Sequence, residues 1–167
     1  GHTHRDAGRV DRALLAYTRA THCNPALLAA WREQLRLFRS KGMHAQAEQA
    51  AQELSRLLEL PKPLLGATDL IAQGRLLKAE EIIRQFLWQV PHHVSAMQLL
   101  ADIGLRLGVL DDAEFLLEAA TRFEPDNVLV RVDYIQALRK RQKFHDALAQ
   151  AKRLLDGDPD SLKFRSI

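Results

Sequence analysis

An all-α superhelix of about five helical hairpins is the fold that this sequence predicts. Three observations predict it: an alanine that returns in register, a proline at a fixed distance after it, and apolar residues at helical spacing in between. The alanine follows a glycine by five positions in Gly8 and Ala13, Gly42 and Ala47, Gly74 and Ala79, and Gly108 and Ala113. In a fifth unit Gln142 holds the glycine place before Ala147, and the steps between alanines are 34, 32, 34 and 34 residues. Twelve residues beyond the alanine stand Pro25, Pro91, Pro125 and Pro159. The second unit breaks the rule, with Glu59 in that place and Pro61 two residues on. The units run roughly 1–27, 28–60, 61–93, 94–127 and 128–161, with 162–167 opening another, all within one array.

Each recurring residue has a physical task. In unit four the first helix carries Leu99, Leu100, Ile103 and Leu107, with Asp102 and Arg106 on another face, an amphipathic helical pattern. Glycine then ends the helix, because without a Cβ it enters the left-handed region freely. The alanine stands where two antiparallel helices come closest, and a larger side chain there would cost about 1–3 kcal/mol through overpacking. The second helix of unit four continues through Phe115, Leu116 and Leu117. Proline closes it, having no N–H to donate and no room in a helix interior. Leu and Ala dominate while aromatics are only 6% of the chain, which favours helix over sheet.

A helical hairpin of this length with these markers resembles the tetratricopeptide repeat. Unit one matches at Gly8, Ala13, Tyr17, Ala20 and Pro25, and unit four at Leu100, Ala101, Gly108, Ala113, Leu117, Ala120 and Pro125. Trp31, Gly42 and Ala47 carry the match in unit two. Unit three keeps Gly74, Ala79 and Pro91 but has Pro63 and Gly66 where the first-helix signature belongs. The resemblance covers nearly the whole chain and implies a tetratricopeptide-like solenoid whose first helices line a concave surface. The pairs Ala47-Glu48, Ala79-Glu80 and Ala113-Glu114 are also loosely similar to arrays ahead of bacterial sulfotransferase-like domains. On that reading the chain is an appendage of an enzyme whose catalytic residues lie elsewhere.

In the family's register Gly1 falls inside a first helix, and Leu162, Phe164 and Ile167 open a new one, so the chain reads as a truncated piece of a longer protein. Uncapped apolar ends leave self-association open. Pro61 and Pro63 are expected to shorten or break the next helix at its start and leave it irregular; a flexible linker is the alternative. Trp88 occupies a place that is polar in the family. The preferred reading packs it against the third unit, the other leaves it exposed as a partner's anchor. Cys23, the single cysteine, excludes an internal disulfide and reads as a small half-buried residue. The run Arg139-Lys140-Arg141-Lys143 ends a first helix and complements its dipole.

No metal or cofactor is expected. The seven histidines are dispersed, whereas a structural zinc site wants about four converging ligands. No Gly-rich phosphate loop and no nucleophile motif is present, so the segment is read as no enzyme. No apolar run approaches the roughly 18 residues of a membrane span, and a cytoplasmic address is the default. A net charge of +3 is small for an RNA-binding helical repeat, a further functional class, and no nucleic acid is expected.

The groove implied by the resemblance remains. Its outward places hold Arg32, Arg36 and Arg39 in unit two, Thr68 in unit three, and Gln98, Asp102 and Arg106 in unit four; Val132, Gln136, Arg139 and Lys140 follow in unit five. This surface is largely cationic, and arginine forks suit carboxylates. The expected partner is therefore a protein or peptide of acidic character, bound by a scaffold. The alternative makes these arginines the solvated sides of their helices. The places of the carboxylate clamp in chaperone-type domains hold Arg32 and Arg36, but Leu65 replaces the third-unit cation, so that clamp is not implied.

Overall fold

The computed structural model describes the backbone of residues 2–157 and the side chains of residues 8–156. Along it lie α1 (His2–Cys23), α2 (Leu28–Ser40), α3 (His44–Glu59), α4 (Lys62–Ala72), α5 (Leu76–Gln89), α6 (Val94–Leu107), α7 (Leu110–Phe123), α8 (Val128–Lys140) and α9 (Phe144–Gly157). The fold class is all-α, a succession of helical hairpins. The chain divides into two compact units, Gly1–Ala79 and Glu80–Ile167, the boundary falling inside α5. The helix expected to restart over 162–167 lies outside the described residues.

In the first unit α1 packs on α2, and α2 pairs with α3. Ala30, Gln34 and Leu37 form the buried stripe of α2, and Ala47, Ala50 and Leu57 that of α3. Burying an amide is costly unless it finds a partner. Gln34 finds one across the helix pair, donating from Nε2 to Thr21 Oγ1 at 2.9 Å. Asn24 ties the end of α1 to α4: its Nδ2 donates to Asp69 Oδ1 at 2.6 Å, while its Oδ1 accepts the Ala26 N–H.

Three expectations for this unit need correction. No turn forms at Gly8; α1 runs through it for 22 residues. A glycine inside a helix costs only about 1 kcal/mol. Nor do the prolines make α4 irregular. Pro61 is its N-cap residue and Pro63 lies in its first turn, where a missing N–H breaks no bond. The helix is short, at 11 residues, and Leu64, Ala67 and Ile71 are buried on it, which removes the flexible-linker alternative. Finally, Cys23 is exposed rather than half-buried.

In the second unit α6 pairs with α7, α7 with α8 and α8 with α9. Ala113, Leu117, Tyr134, Ile135, Leu138 and Ala147 belong to one core cluster. Of the repeat alanines along the chain, Ala47, Ala79, Ala113 and Ala147 are buried as the sequence predicts, Ala79 and Ala113 wholly so, while Ala13 is half-buried. Helices α6 and α7 approach closely at Gly104, where an added Cβ would stand 3.3 Å from the Ala113 Cβ and 3.2 Å from the Val109 carbonyl. Two leading helices also begin alike. His93 Nδ1 accepts the Ala96 N–H at 3.3 Å, and Asn127 Oδ1 accepts the Val130 N–H at 3.2 Å. These N-caps stand one repeat apart, and each satisfies a donor the helix itself cannot.

The turns explain the recurring glycine. Gly42, Gly74 and Gly108 have φ of 69°, 74° and 80°, and Gln142 adopts the same left-handed conformation at 62°. A side chain there costs about 1–2 kcal/mol. Gln142→Gly is therefore expected to raise the unfolding free energy by about 1 kcal/mol, and Gly108→Ala to lower it similarly, in urea titrations. A loss of stability in Gln142→Gly would contradict this account of the turn.

Candidate binding faces

The candidates of the first unit lie on α2. Arg32, Arg36 and Arg39 are exposed, and their spacing sets them opposite the buried stripe of Ala30, Gln34 and Leu37. Arg36 pairs with Glu33 at 2.7 Å, both groups in solvent, a contact worth a few tenths of a kcal/mol, about 0.2–0.5. Thr68 on α4 turns its hydroxyl back to its own helix, donating to the Leu64 carbonyl at 2.9 Å. Three exposed arginines thus run along one side of α2.

The face of the second unit is mixed in charge. Gln98 and Asp102 are half-buried on α6 and Arg106 is exposed. Gln98 Nε2 donates to Asp133 Oδ2 at 2.9 Å, which ties α6 to α8. Arg106 Nε donates to Asp102 Oδ2, also at 2.9 Å. On α8, Gln136, Arg139 and Lys140 are exposed, while Val132 packs partly onto the core. Two carboxylates thus stand among three cations. Asp133 escaped the sequence reading because only the packing of α6 beside α8 brings it to Gln98.

The basic run does more than complement a dipole. Arg141 Nη1 donates to Glu114 Oε2 at 2.5 Å and Lys143 Nζ to Glu114 Oε1 at 2.7 Å, and Arg141 also pairs with Asp111. The turn between α8 and α9 is thereby clamped onto α7. The Glu114 side chain keeps only 12% of its exposure. Burial by itself pushes its pKa up; the hydrogen bonds from Lys143 and Arg141 outweigh this and hold the carboxyl below the usual carboxylate range.

Trp88 overturns its preferred reading, being 87% exposed. Helix α5 buries Ala79 and Ile83, and a residue five positions beyond Ile83 points about 140° away from it. Phe115 and Leu107, also placed on apolar faces by the sequence pattern, are exposed too. Among the described residues no group of three or more His, Cys, Asp or Glu could hold a metal ion. No helix among them is long and apolar enough to cross a membrane.

Comparison with known proteins points one way. The tetratricopeptide repeat family model matches residues 1–57 and 64–128. Among solved structures the chain is similar to TTC0263, a thermophilic TPR protein in Thermus thermophilus, at 22% identity and a TM-score of 0.58, covering 99% of this chain and 92% of that one. It is also similar to YrrB, a TPR protein with an unusual peptide-binding site, at 16% identity and a TM-score of 0.56, covering 97% and 84%. The human IFIT1 dimer with PPP-AAAA matches at 16% identity and a TM-score of 0.54, covering 85% of this chain and 35% of that one. No curated protein sequence matches the chain significantly.

The Glu114 clamp carries a pH dependence of defined sign. A folded pKa held below the unfolded value gives stability that is complete above about pH 4.3 and fades as pH falls through the folded pKa. Glu114→Gln is expected to lose about 1.5–3 kcal/mol near neutral pH. That difference from the parent should shrink progressively in acid, as urea titrations at several pH values would measure. A difference that stays constant into acid would contradict the clamp.

Proposed function

This chain belongs to the tetratricopeptide repeat family, and from that premise we propose that it is a non-catalytic scaffold gripping a partner protein or peptide on its leading helices. The observation that carries this reading is the row of Arg32, Arg36 and Arg39 along the solvent face of α2. The partner is an acidic segment. A guanidinium fork holds a carboxylate through two parallel bonds, and each charge-assisted bond contributes about 1.5–3 kcal/mol. Gln98, Asp102, Arg106, Gln136, Arg139 and Lys140 form the corresponding surface of the second unit, whose mixed charge suits polar side chains beside the acids of a partner.

The peptide-binding site named for YrrB agrees with this reading. The likeness to IFIT1 with PPP-AAAA makes RNA the natural control ligand. The sulfotransferase-linked reading has less support, because the glutamates of two of its three Ala-Glu pairs have partners within this chain. Glu80 pairs with Arg84 on its own helix and Glu114 with the clamp.

Fluorescence anisotropy with a labelled Asp/Glu-rich peptide tests the proposal. The triple change Arg32→Glu, Arg36→Glu and Arg39→Glu is expected to weaken binding more than about tenfold, equivalent to at least about 1.4 kcal/mol. Binding to the parent is expected to weaken as salt rises. Undiminished binding by the triple variant, or tighter binding of an oligo-A RNA than of the peptide, would sink the reading.

A further inference from the structure

Two surface slots in the second unit have matching walls and opposite chemistry. The first is lined by Arg84, Leu87, Trp88, Pro91, Leu100 and Leu116. Advancing each number by 34 gives Glu118, Thr121, Arg122, Pro125, Tyr134 and Gln150, all of which line the second. Arg131 and Arg153 complete that second wall. Each slot draws on two successive trailing helices, α5 and α7 or α7 and α9, with Leu100 of α6 or Tyr134 of α8 between them. One repeat's step therefore changes tryptophan to arginine and leucine to threonine, tyrosine or glutamine.

The first slot offers apolar surface to solvent. Trp88 is 87% exposed there, beside the half-buried Leu87 and Leu116. A large aromatic left in water is the kind of residue that anchors a partner. The second slot gathers cations. Arg122, Arg131 and Arg153 line it with one carboxylate, Glu118, which Arg122 holds at 2.5 Å. Arg131 is oriented in advance by Gln150 Oε1 at 3.0 Å and by the Pro125 carbonyl. Among the described residues no carboxylate pairs with Arg153. Burial, with Glu118, Glu114 and Asp146 nearby, pushes the Tyr134 phenol up in pKa, so it stays a protonated donor.

We propose that this pair of slots is a docking site on the trailing-helix side, distinct from the leading-helix faces. Its occupant is an extended segment of a partner protein that seats a large apolar side chain on Trp88 and a carboxylate among Arg122, Arg131 and Arg153. Charge complementarity argues for the carboxylate, since three guanidinium groups meet one internal acid. The repeat sets the spacing. An extended chain advances about 3.3 Å per residue and packed helix axes stand about 8–10 Å apart. One repeat holds two helices, so its step crosses one to two such spacings and about three to six residues separate the apolar anchor from the acid.

The chain's two tryptophans make a direct test. Trp31→Phe leaves Trp88 as the reporter. The probe is a synthetic peptide carrying Leu-Phe, a Gly/Ser spacer of about four residues, and Asp-Glu. Its addition is expected to shift the Trp88 emission to the blue. Apparent affinity is expected to fall about tenfold or more, about 1.4 kcal/mol, when Asp-Glu becomes Asn-Gln or when Arg153→Glu is introduced, and to persist in the Arg32, Arg36 and Arg39 reversal. With Trp31 intact, anisotropy of the labelled peptide is expected to register the same loss in Trp88→Ala. Trp88 and Arg153 are exposed, so circular dichroism should report an unchanged fold. An absent shift, equal binding of the amide peptide, or equal binding by Arg153→Glu would overturn the proposal. So would a blue shift on raising protein concentration alone, which would mark the slot as a contact between copies of this chain.

Discussion

Two helices can lie only as close as their smallest facing residues allow, and that limit governs each hairpin here. In the second unit it is visible at Gly104 and Ala113, where no further carbon fits without displacing a neighbour. Close packing at this point fixes how α6 and α7 lie on one another. It also requires a sharp turn, which Gly108 supplies in the left-handed region. The alanine, the glycine and the helix length together set the period. Once the period is set, every other residue has a defined address in its hairpin.

That addressing makes the differences between repeats informative. His93 and Asn127 do the same capping work with different chemistry. Glu80 and Glu114 occupy the same address, yet Glu80 pairs within its own helix while Glu114 is seized by Arg141 and Lys143. Leu87 and Thr121, or Trp88 and Arg122, are further such pairs. Scaffold positions repeat because packing demands it. The exposed addresses are free to vary, and recognition can be built there.

The hairpin framework was legible because its requirements are local. Gly42, Gly74 and Gly108 mark turns, and Ala47, Ala79 and Ala113 mark contacts, wherever they stand. Gly8 misled because a glycine is tolerated inside a helix at a cost of only about 1 kcal/mol, and α1 runs through it. Pro63 misled because a proline in the first turn breaks nothing. The arginine row on α2 could be read from spacing alone. The bond from Gln98 to Asp133 could not, nor could the grip of Arg141 and Lys143 on Glu114, because each joins residues of different helices. Trp88 was misjudged on residue type; its angular place on α5 was the better guide.

The most direct measurement compares Ala113→Leu with Ala149→Leu in urea denaturation. Ala113 is wholly buried at the helix contact, and Ala149 is exposed on α9. If close approach at the small residue holds the hairpin, Ala113→Leu should lose about 1–3 kcal/mol, while Ala149→Leu should stay within about 0.5 kcal/mol of the parent. Equal stability of the two variants would mean that the helices are not held by that contact.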